Sequence, residues 1–380
     1  MRIAIDIRRI SEFGIGTYTR NAIRALARID HESEYFLIGI PGKLPGTEGL
    51  PANFKLLPAQ PNELSLGSYV ELHQLLKRFH VNLLHVPHLF WKPQGIPCPY
   101  VVTVHDLLDH MYRINSHSAV KRNLHFRFTR RVLHHAARIF AVSNFSKKDT
   151  ERLFQVPPEK IEVIYNAIDD RFLRGHATDA EREYIAERYQ VNDPFLLYTG
   201  RISPHKNVVR IIEAFAALKA ELAKEGEGRF EDLKLIIVGD EVSKHPDLRR
   251  AVVKGRVQND VRFLGFLPID VLRIFYDQAK IFVFPSLYEG FGLPPLEAMA
   301  HSTPVVTSNT SSIPEVVGNA AIMVNPENVF DIMKALHRVL LDQSVRDKLK
   351  ERGLEQVKKF SWDVSARRML EVYREVAGQN

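Results

Sequence analysis

The sequence predicts an α/β protein of two domains, each a parallel sheet with helices on its faces. Its 380 residues exceed what one core holds at roughly 100–200 residues per domain. Short apolar runs of strand length alternate with stretches of helical apolar spacing in both halves, the pattern of β-α units on a parallel sheet. Between the halves, from about Arg171 to Pro194, the chain turns polar and rich in Asp, Glu and Arg. The expected division is 1–170 for the first domain, 171–194 for a linker region and 195–360 for the second domain. A closing helix, 361–380, is expected to pack back toward the first.

Residues 1–7 alternate and are rich in Ile. Phe13-Gly14-Ile15-Gly16 and then 17–29, with helical apolar spacing, follow, so the chain opens as strand, glycine turn and helix. Further strands are expected at 35–40, 83–86, 100–104, 139–142 and 161–164. Beyond the polar joint, runs at 195–199, 235–238, 261–264, 281–285, 304–307 and 321–324 read as strands. Helical stretches lie between them at 208–223, 247–257, 269–278 and 295–300, and 329–359 and 363–377 close the chain. A cleft is expected between the two domains. Ligands of open sheets sit at the carboxyl ends of strands, so the residues just after each strand are where chemistry is sought.

Composition narrows the class. Apolar residues at 45% and charged residues at 26% fit a folded chain, and 20 Gly with 21 Pro are too few for a collagen-like or low-complexity protein. Cys98 is the only cysteine, which excludes an intrachain disulfide and a disulfide-stapled secreted domain. Asp6, Arg8 and Arg9 break any secretory apolar core, and no run of about 18 apolar residues is free of charge. The expected location is cytoplasmic, or peripheral on the inner face of the membrane. The formal charge of +7 is uneven: residues 1–180 hold 24 Lys and Arg against 17 Asp and Glu, while 181–380 hold 28 of each. Twelve of the 16 His also lie in the first half, so mild acid would enlarge the asymmetry.

The sharpest segment follows the strand at 281–285, where Glu289 and Glu297 are separated by seven residues that include Gly290, Gly292, Pro294 and Pro295. The glycines let backbone approach a ligand, and proline suits a first helical turn because its missing N–H has no partner there. Amides at the helix start then favour phosphate or sugar oxygens, and both carboxylates can accept hydroxyl hydrogens from one extended ligand. A plain turn with acids at a helix start would use the same residues. After the strand at 195–199 comes Gly200-Arg201-Ile202-Ser203-Pro204-His205-Lys206-Asn207. Arg201 and Lys206 before a helix oppose its dipole unless an anion lies between, which points to a diphosphate; two solvated cations are the other reading.

In the first half, Gly14 and Gly16 could present amides to a phosphate, although no third glycine or acidic partner completes a dinucleotide fingerprint. His105, in Val104-His105-Asp106, stands past a strand end and could donate to a sugar hydroxyl or a leaving oxygen, or be a satisfied structural histidine. No Cys/His cluster has zinc spacing and no Asp-x-Asp pair is present, so no metal is expected, and activity insensitive to EDTA follows.

From His110 to Lys148 no acidic residue occurs, while Arg113, Lys121, Arg122, Arg127, Arg130, Arg131, Arg138, Lys147 and Lys148 do. Val120, Leu124, Phe128, Val132 and Ala136 recur every four residues, which reads as an amphipathic helix with a cationic face. That face, within 113–148, suits an anionic membrane surface or an acidic acceptor, or is simply solvated. No stacking platform accompanies the charge, so no nucleic acid is expected.

Together these residues resemble glycosyltransferase family 4, retaining enzymes with the GT-B fold. Glu289 and Glu297 are similar to its Glu-x7-Glu element, and residues 200–207 to its Gly-Arg-x-Ser-Pro-x-Lys-Asn loop. His105-Asp106 is similar to its first-domain His-Asp element, and Gly14 to Gly16 to its glycine loop. Val163-Ile164-Tyr165-Asn166-Ala167-Ile168-Asp169 resembles its interdomain segment, with Tyr165 and Ala167 where Pro and Gly are usual; Phe13 stands where many members have a further glycine. Residues 309–316 resemble a stretch of its mannosyltransferase-like members. The resemblance implies two Rossmann-like domains facing a cleft. It also implies transfer of a sugar, mannose favoured and GDP-mannose as donor, to a saccharide or lipid-linked saccharide in surface polysaccharide or glycolipid synthesis. It implies that Arg201 and Lys206 stabilise the departing diphosphate and that Glu297 holds the ribose. Glu289 with the amides of Phe291, Gly292 and Leu293 would hold the sugar, His105 would contact it near the reacting centre, and Gly14 and Gly16 would bring amides to the phosphates. The nucleotide diphosphate sugar is a co-substrate, and no cofactor is implied. Another GT-B enzyme, an epimerase or phosphorylase, and a non-catalytic nucleotide-sugar or polyanion binder are the alternatives.

Overall fold

The computed structural model describes residues 1–12, 14–42, 45–60, 65–89, 95–108 and 119–378. Phe13 and Arg113 lie outside the described residues, as does the side chain of Lys121. The chain forms two compact units, 1–167 together with 361–380, and 168–360.

The strands of the first unit are β1 (Arg2–Asp6), β2 (Glu34–Gly39), β3 (Phe54–Pro58), β4 (Leu83–Val86), β5 (Tyr100–Val104), β6 (Arg138–Ala141) and β7 (Ile161–Val163). Those of the second are β8 (Phe195–Thr199), β9 (Lys234–Val238), β10 (Val261–Gly265), β11 (Ile281–Phe284), β12 (Val305–Ser308) and β13 (Ile322–Val324). The described helices are α1 (Ile15–Ile29), α2 (Leu66–Arg78), α3 (Ala119–His135), α4 (Asn144–Phe154), α5 (Asp179–Tyr189), α6 (Val208–Glu225), α7 (Pro246–Gly255), α8 (Ile269–Gln278), α9 (Leu293–Ala300), α10 (Ile313–Val317), α11 (Val329–Leu341), α12 (Gln343–Val357) and α13 (Trp362–Ala377).

Both sheets are parallel and wound alike: β3-β2-β1-β4-β5-β6-β7 in the first unit and β10-β9-β8-β11-β12-β13 in the second. Every residue of β5, β8 and β11 is buried, which is why these strands read as unbroken apolar runs rather than alternating ones. In each sheet the strand order reverses at one place, between β1 and β4 and between β8 and β11. There the loops at the carboxyl ends part to either side, the place where open α/β sheets hold ligands.

Three elements depart from the expected pattern. β3 is an added edge strand whose Lys55 and Leu56 are exposed, so no apolar run announced it. Residues 171–194 carry the end of a 3₁₀ turn (Asp170–Leu173) and then α5, within the second unit. Helix α5 is closed at its start by a Thr178 and Glu181 capping box and buries only Ile185 of its 11 residues, hence its linker-like composition. The helical stretch 329–359 is two helices, because Asp342 leaves helical geometry and accepts from the Val345 amide to start α12.

Helix α13 joins the first unit through its buried Trp362, Met369, Leu370, Tyr373 and Val376. Trp362 meets the Tyr18 ring of α1 at 5.6 Å, edge on, and Arg368 pairs with Glu162 at 2.8 Å. Tyr373 OH lies 2.6 Å from His85 Nδ1, and His85 Nε2 2.8 Å from Thr103 Oγ1, a buried polar chain between α13 and the sheet.

Candidate functional site

In the second unit the two loops singled out by sequence leave the carboxyl ends of β8 and β11, the neighbouring strands at which the order reverses. Sheet order thus brings Lys206 and Glu289, 83 residues apart, into contact: Nζ lies 2.7 Å from Oε1 and 2.8 Å from Oε2, with both side chains largely buried. Two acceptors on one ammonium answer the dipole conflict expected before α6 without an outside anion. Lys206 Nζ also sits 5.5 Å from the centroid of the Phe284 ring. Arg201 is exposed and forms no ion pair with a described residue; its carbonyl accepts from Tyr198 OH at 3.1 Å.

The loop geometry rests on residues the motif reading passed over. Asn207, left-handed at φ 63°, donates from Nδ2 to the Pro285 and Pro326 carbonyls at 3.0 and 2.6 Å. The Leu287 amide donates to the His205 carbonyl at 2.7 Å, a second tie between the loops. A Cβ on Gly239 would lie 2.1 Å from the Gly200 carbonyl oxygen, so glycine is required where β8 and β9 end side by side. Gly292, at φ 97°, caps α9, and Pro294 and Pro295 carry no N–H, so the donors at this helix start come from residues 291 to 293. Phe291 is buried and Leu293 half-buried. The 309–316 stretch holds this loop in place: Ser311 Oγ accepts from the Glu289 amide at 3.1 Å, and Ser312 Oγ contacts the carbonyls of Glu289 and Phe291 at 2.9 and 2.8 Å.

Glu297 projects half-buried from α9. Its Oε2 accepts from Tyr276 OH at 2.8 Å, and that hydroxyl lies 2.6 Å from Thr199 Oγ1 at the end of β8. Burial pushes the Glu297 carboxyl up to about 7; the Tyr276 hydrogen bond pulls it down and the Asp169 charge pushes it up.

In the first unit, Gly14 caps α1 at φ 66° and is exposed with open space about it. Gly16 is different. Its amide donates to the Glu12 carbonyl at 3.0 Å, and a Cβ there would lie 2.3 Å from the Ile10 carbonyl oxygen, so tight packing of the turn accounts for this glycine. The amide expected at a phosphate is already used. His105 likewise has a partner within the first unit. Its Nε2 lies 2.9 Å from the Pro87 carbonyl, which can only accept, so Nε2 carries the proton and Nδ1 is an acceptor. Burial holds this imidazole down to about 4, against the Pro87 hydrogen bond, so it is neutral at pH 7.

The basic stretch is only partly as expected. In α3, Val132 and the following Ala136 are buried, but Val120 and Leu124 are 76% and 53% exposed in line with exposed Arg127 and Arg131. Phe126, in the first half of the helix, packs on the core and stacks on Phe154 at 4.9 Å, so it is the Val120 and Leu124 part of the four-residue repeat that is exposed there. Lys147 donates to the Ile161 carbonyl at 2.9 Å and Arg138 lies 3.9 Å from Glu375, so these two cations serve the fold. A depression of about 440 Å³ lined by Val81, Asn82, Cys98 and Ala377 opens at the amino ends of β4 and β5, the wrong ends for strand-end chemistry. Among the described residues, no three His, Cys, Asp or Glu side chains cluster as a metal site, and no helix is long and apolar enough to cross a membrane.

Two family models match in tandem, Glycosyltransferase Family 4 over residues 14–172 and Glycosyl transferases group 1 over residues 181–356. The chain belongs to glycosyltransferase family 4. It is similar to O-antigen chain mannosyltransferase B of Escherichia coli, at 34% identity over 237 residues, 62% of this chain and 60% of that protein. It is also similar to the serotype-specific mannosyltransferase WbdA of Escherichia coli, at 34% over 254 residues, 63% of this chain and 30% of that one. The chain thus spans well under two thirds of either relative. Among solved structures, sucrose-phosphate synthase from Thermosynechococcus elongatus matches at 19% identity with a TM-score of 0.78 over 100% of both chains. The two parallel sheets of this family 4 member are the GT-B fold.

Proposed function

We propose that the protein is a retaining glycosyltransferase that moves mannose from GDP-mannose to a saccharide or lipid-linked saccharide acceptor in surface polysaccharide or glycolipid synthesis. The observation that carries the reading is the meeting of Lys206 with Glu289 at the strand-order reversal of the second unit, with Glu297 linked through Tyr276 to Thr199 at the end of β8. A leaving nucleoside diphosphate needs negative charge stabilised as the glycosidic bond breaks, which preorganised cations and amides supply. Lys206 and Arg201 take that role. Glu289, with the amides of Phe291, Gly292 and Leu293, holds the sugar, and Glu297 accepts from the ribose. The first unit supplies Gly14 at a phosphate and the Nδ1 of His105 as acceptor from a sugar hydroxyl. Mannose is favoured by the 34% identical mannosyltransferases and by the 309–316 stretch. The open face of α3, with Val120 and Leu124 beside Arg127 and Arg131, is proposed to rest on an anionic membrane surface.

A panel of nucleotide sugars, scored for released nucleoside diphosphate with and without acceptor, tests this. GDP-mannose turnover that rises with acceptor is expected. Tight nucleotide binding with no turnover of any donor would favour the non-catalytic binder, and interconversion of free sugar nucleotides an epimerase.

A further inference from the structure

We propose that Tyr276 is a positioning residue for the donor, holding Glu297 as the hydrogen-bond acceptor for the ribose hydroxyls. This rests on the donor-site reading above. Tyr276 lies on α8, outside both motif loops, yet its fully buried hydroxyl reaches Glu297 Oε2 at 2.8 Å and Thr199 Oγ1 at 2.6 Å. Burial and the neighbouring Glu297 charge hold the phenol well above its usual range, so it keeps its hydrogen. With that one hydrogen given to Glu297, the Thr199 hydroxyl must be the donor in its contact with Tyr276. Oε2 is thereby fixed in direction, and Oε1 is the oxygen left to a ligand.

The ring is held on several sides. Phe172 and Phe282 meet it edge on at 5.8 and 5.3 Å, and His301 stacks on it at 6.3 Å. So dense a mounting fixes the hydroxyl, and through it the carboxylate, before any ligand arrives.

The same contact sets a protonation state. Glu297 titrates near 7 because burial opposes its charge, and the Tyr276 hydrogen bond is what favours that charge. Helix α8 itself also carries exposed Asp270, Arg273, paired with Glu181, and Asp277, its side chain buried and paired with Arg182 at 3.2 Å. Asp169, paired with Arg171 at 2.8 Å, acts on Glu297 from the turn before α5. His301, at the end of α9, is held by burial to about 4 and is neutral through the pH range concerned. Strands β11 and β12 carry no ionisable residue, α12 meets α9 through Gly353 against Met299, and Glu315 is the ionisable residue of α10. Without the phenol hydroxyl, burial and Asp169 act unopposed, and Glu297 keeps its proton to higher pH.

The test is titration calorimetry of GDP and UDP, which share ribose and diphosphate, and of inorganic pyrophosphate, which has no ribose, from about pH 6 to 9. Wild type, Tyr276→Phe and Glu297→Gln are compared. Wild-type nucleotide affinity should fall as pH drops through about 7. In Tyr276→Phe the fall should come at higher pH, leaving binding roughly five- to tenfold weaker at pH 7 and nearly restored at pH 9, with pyrophosphate unchanged. Thr199→Val should shift the profile the same way by less, which keeps the inference testable if Tyr276→Phe folds poorly. An equal loss at every pH, a loss for pyrophosphate too, or no loss would overturn the inference. If Glu297→Gln weakens nucleotide binding and Tyr276→Phe does not, Tyr276 alone is refuted. If Glu297→Gln binds nucleotide like wild type, the ribose role of Glu297 falls, and this inference with it.

Discussion

Lys206 is satisfied twice over by Glu289, so on the proposed reading a diphosphate exchanges one anion for another rather than meeting a bare cation. On the proposed reading this gives opposite signs to two substitutions. Lys206→Ala removes a preorganised charge from the leaving group and should cost about 3–4 kcal/mol of transition-state stabilisation, on the order of a hundred- to thousandfold in kcat/KM. Glu289→Gln weakens the competing ion pair, so inorganic pyrophosphate should bind several-fold tighter while turnover drops. Near-normal turnover in Lys206→Ala would sink the diphosphate assignment. His105 shows how a single contact redirects a role: the Pro87 carbonyl engages Nε2–H and leaves an acceptor where sequence suggested a donor. Its neighbourhood past a strand end was legible; its tautomer was not, because the carbonyl that decides it belongs to residue 87.

Most elements were legible because buried parallel strands are short and continuously apolar, while their covering helices repeat near 3.6 residues. The exceptions share a cause. β3 and α5 bury little, so neither carries the apolar pattern by which strands and helices are recognised. Helix α3 is the reverse case: its four-residue apolar repeat is real, but that stripe is buried only from Val132 on, while Phe126 meets the core from another face. The exposed stripe of Val120, Leu124, Arg127 and Arg131, spaced by four, three and four residues, gives the lipid reading a defined face. Co-sedimentation should show preference for phosphatidylglycerol-containing vesicles over neutral ones, and Arg127→Glu with Arg131→Glu should abolish it. Roughly 1 kcal/mol per basic residue near an anionic surface makes the double change worth tenfold or more. Equal binding to both vesicle types would leave α3 a solvated face.

For the molecule as a whole, acid is the expected weak point. His85, His88, His105, His205 and His301 are all held down by burial, to about 3 for the first two and about 4 for the others. Each is neutral in the fold, while the unfolded chain takes up these protons near pH 6.5. Stability is therefore fully present above that pH and lost as pH falls from 6.5 toward the folded values. His85 and His88 alone should each remove about 1.4 kcal/mol per pH unit within that window. Calorimetric melting should show Tm falling steeply between about pH 6 and pH 4; a flat profile would contradict the buried neutral histidines. The sequence by itself determined the parallel α/β class, the strand-end loops that carry Arg201, Lys206, Glu289 and Glu297, and their likeness to family 4. These are local patterns of apolar period, glycine and charge, complete within a dozen residues. Only the tertiary structure decided that Lys206 closes on Glu289 and that Tyr276 holds Glu297. Each of these depends on the order of strands in a sheet or on what a helix packs against, and contacts set that way leave no periodic mark along the chain.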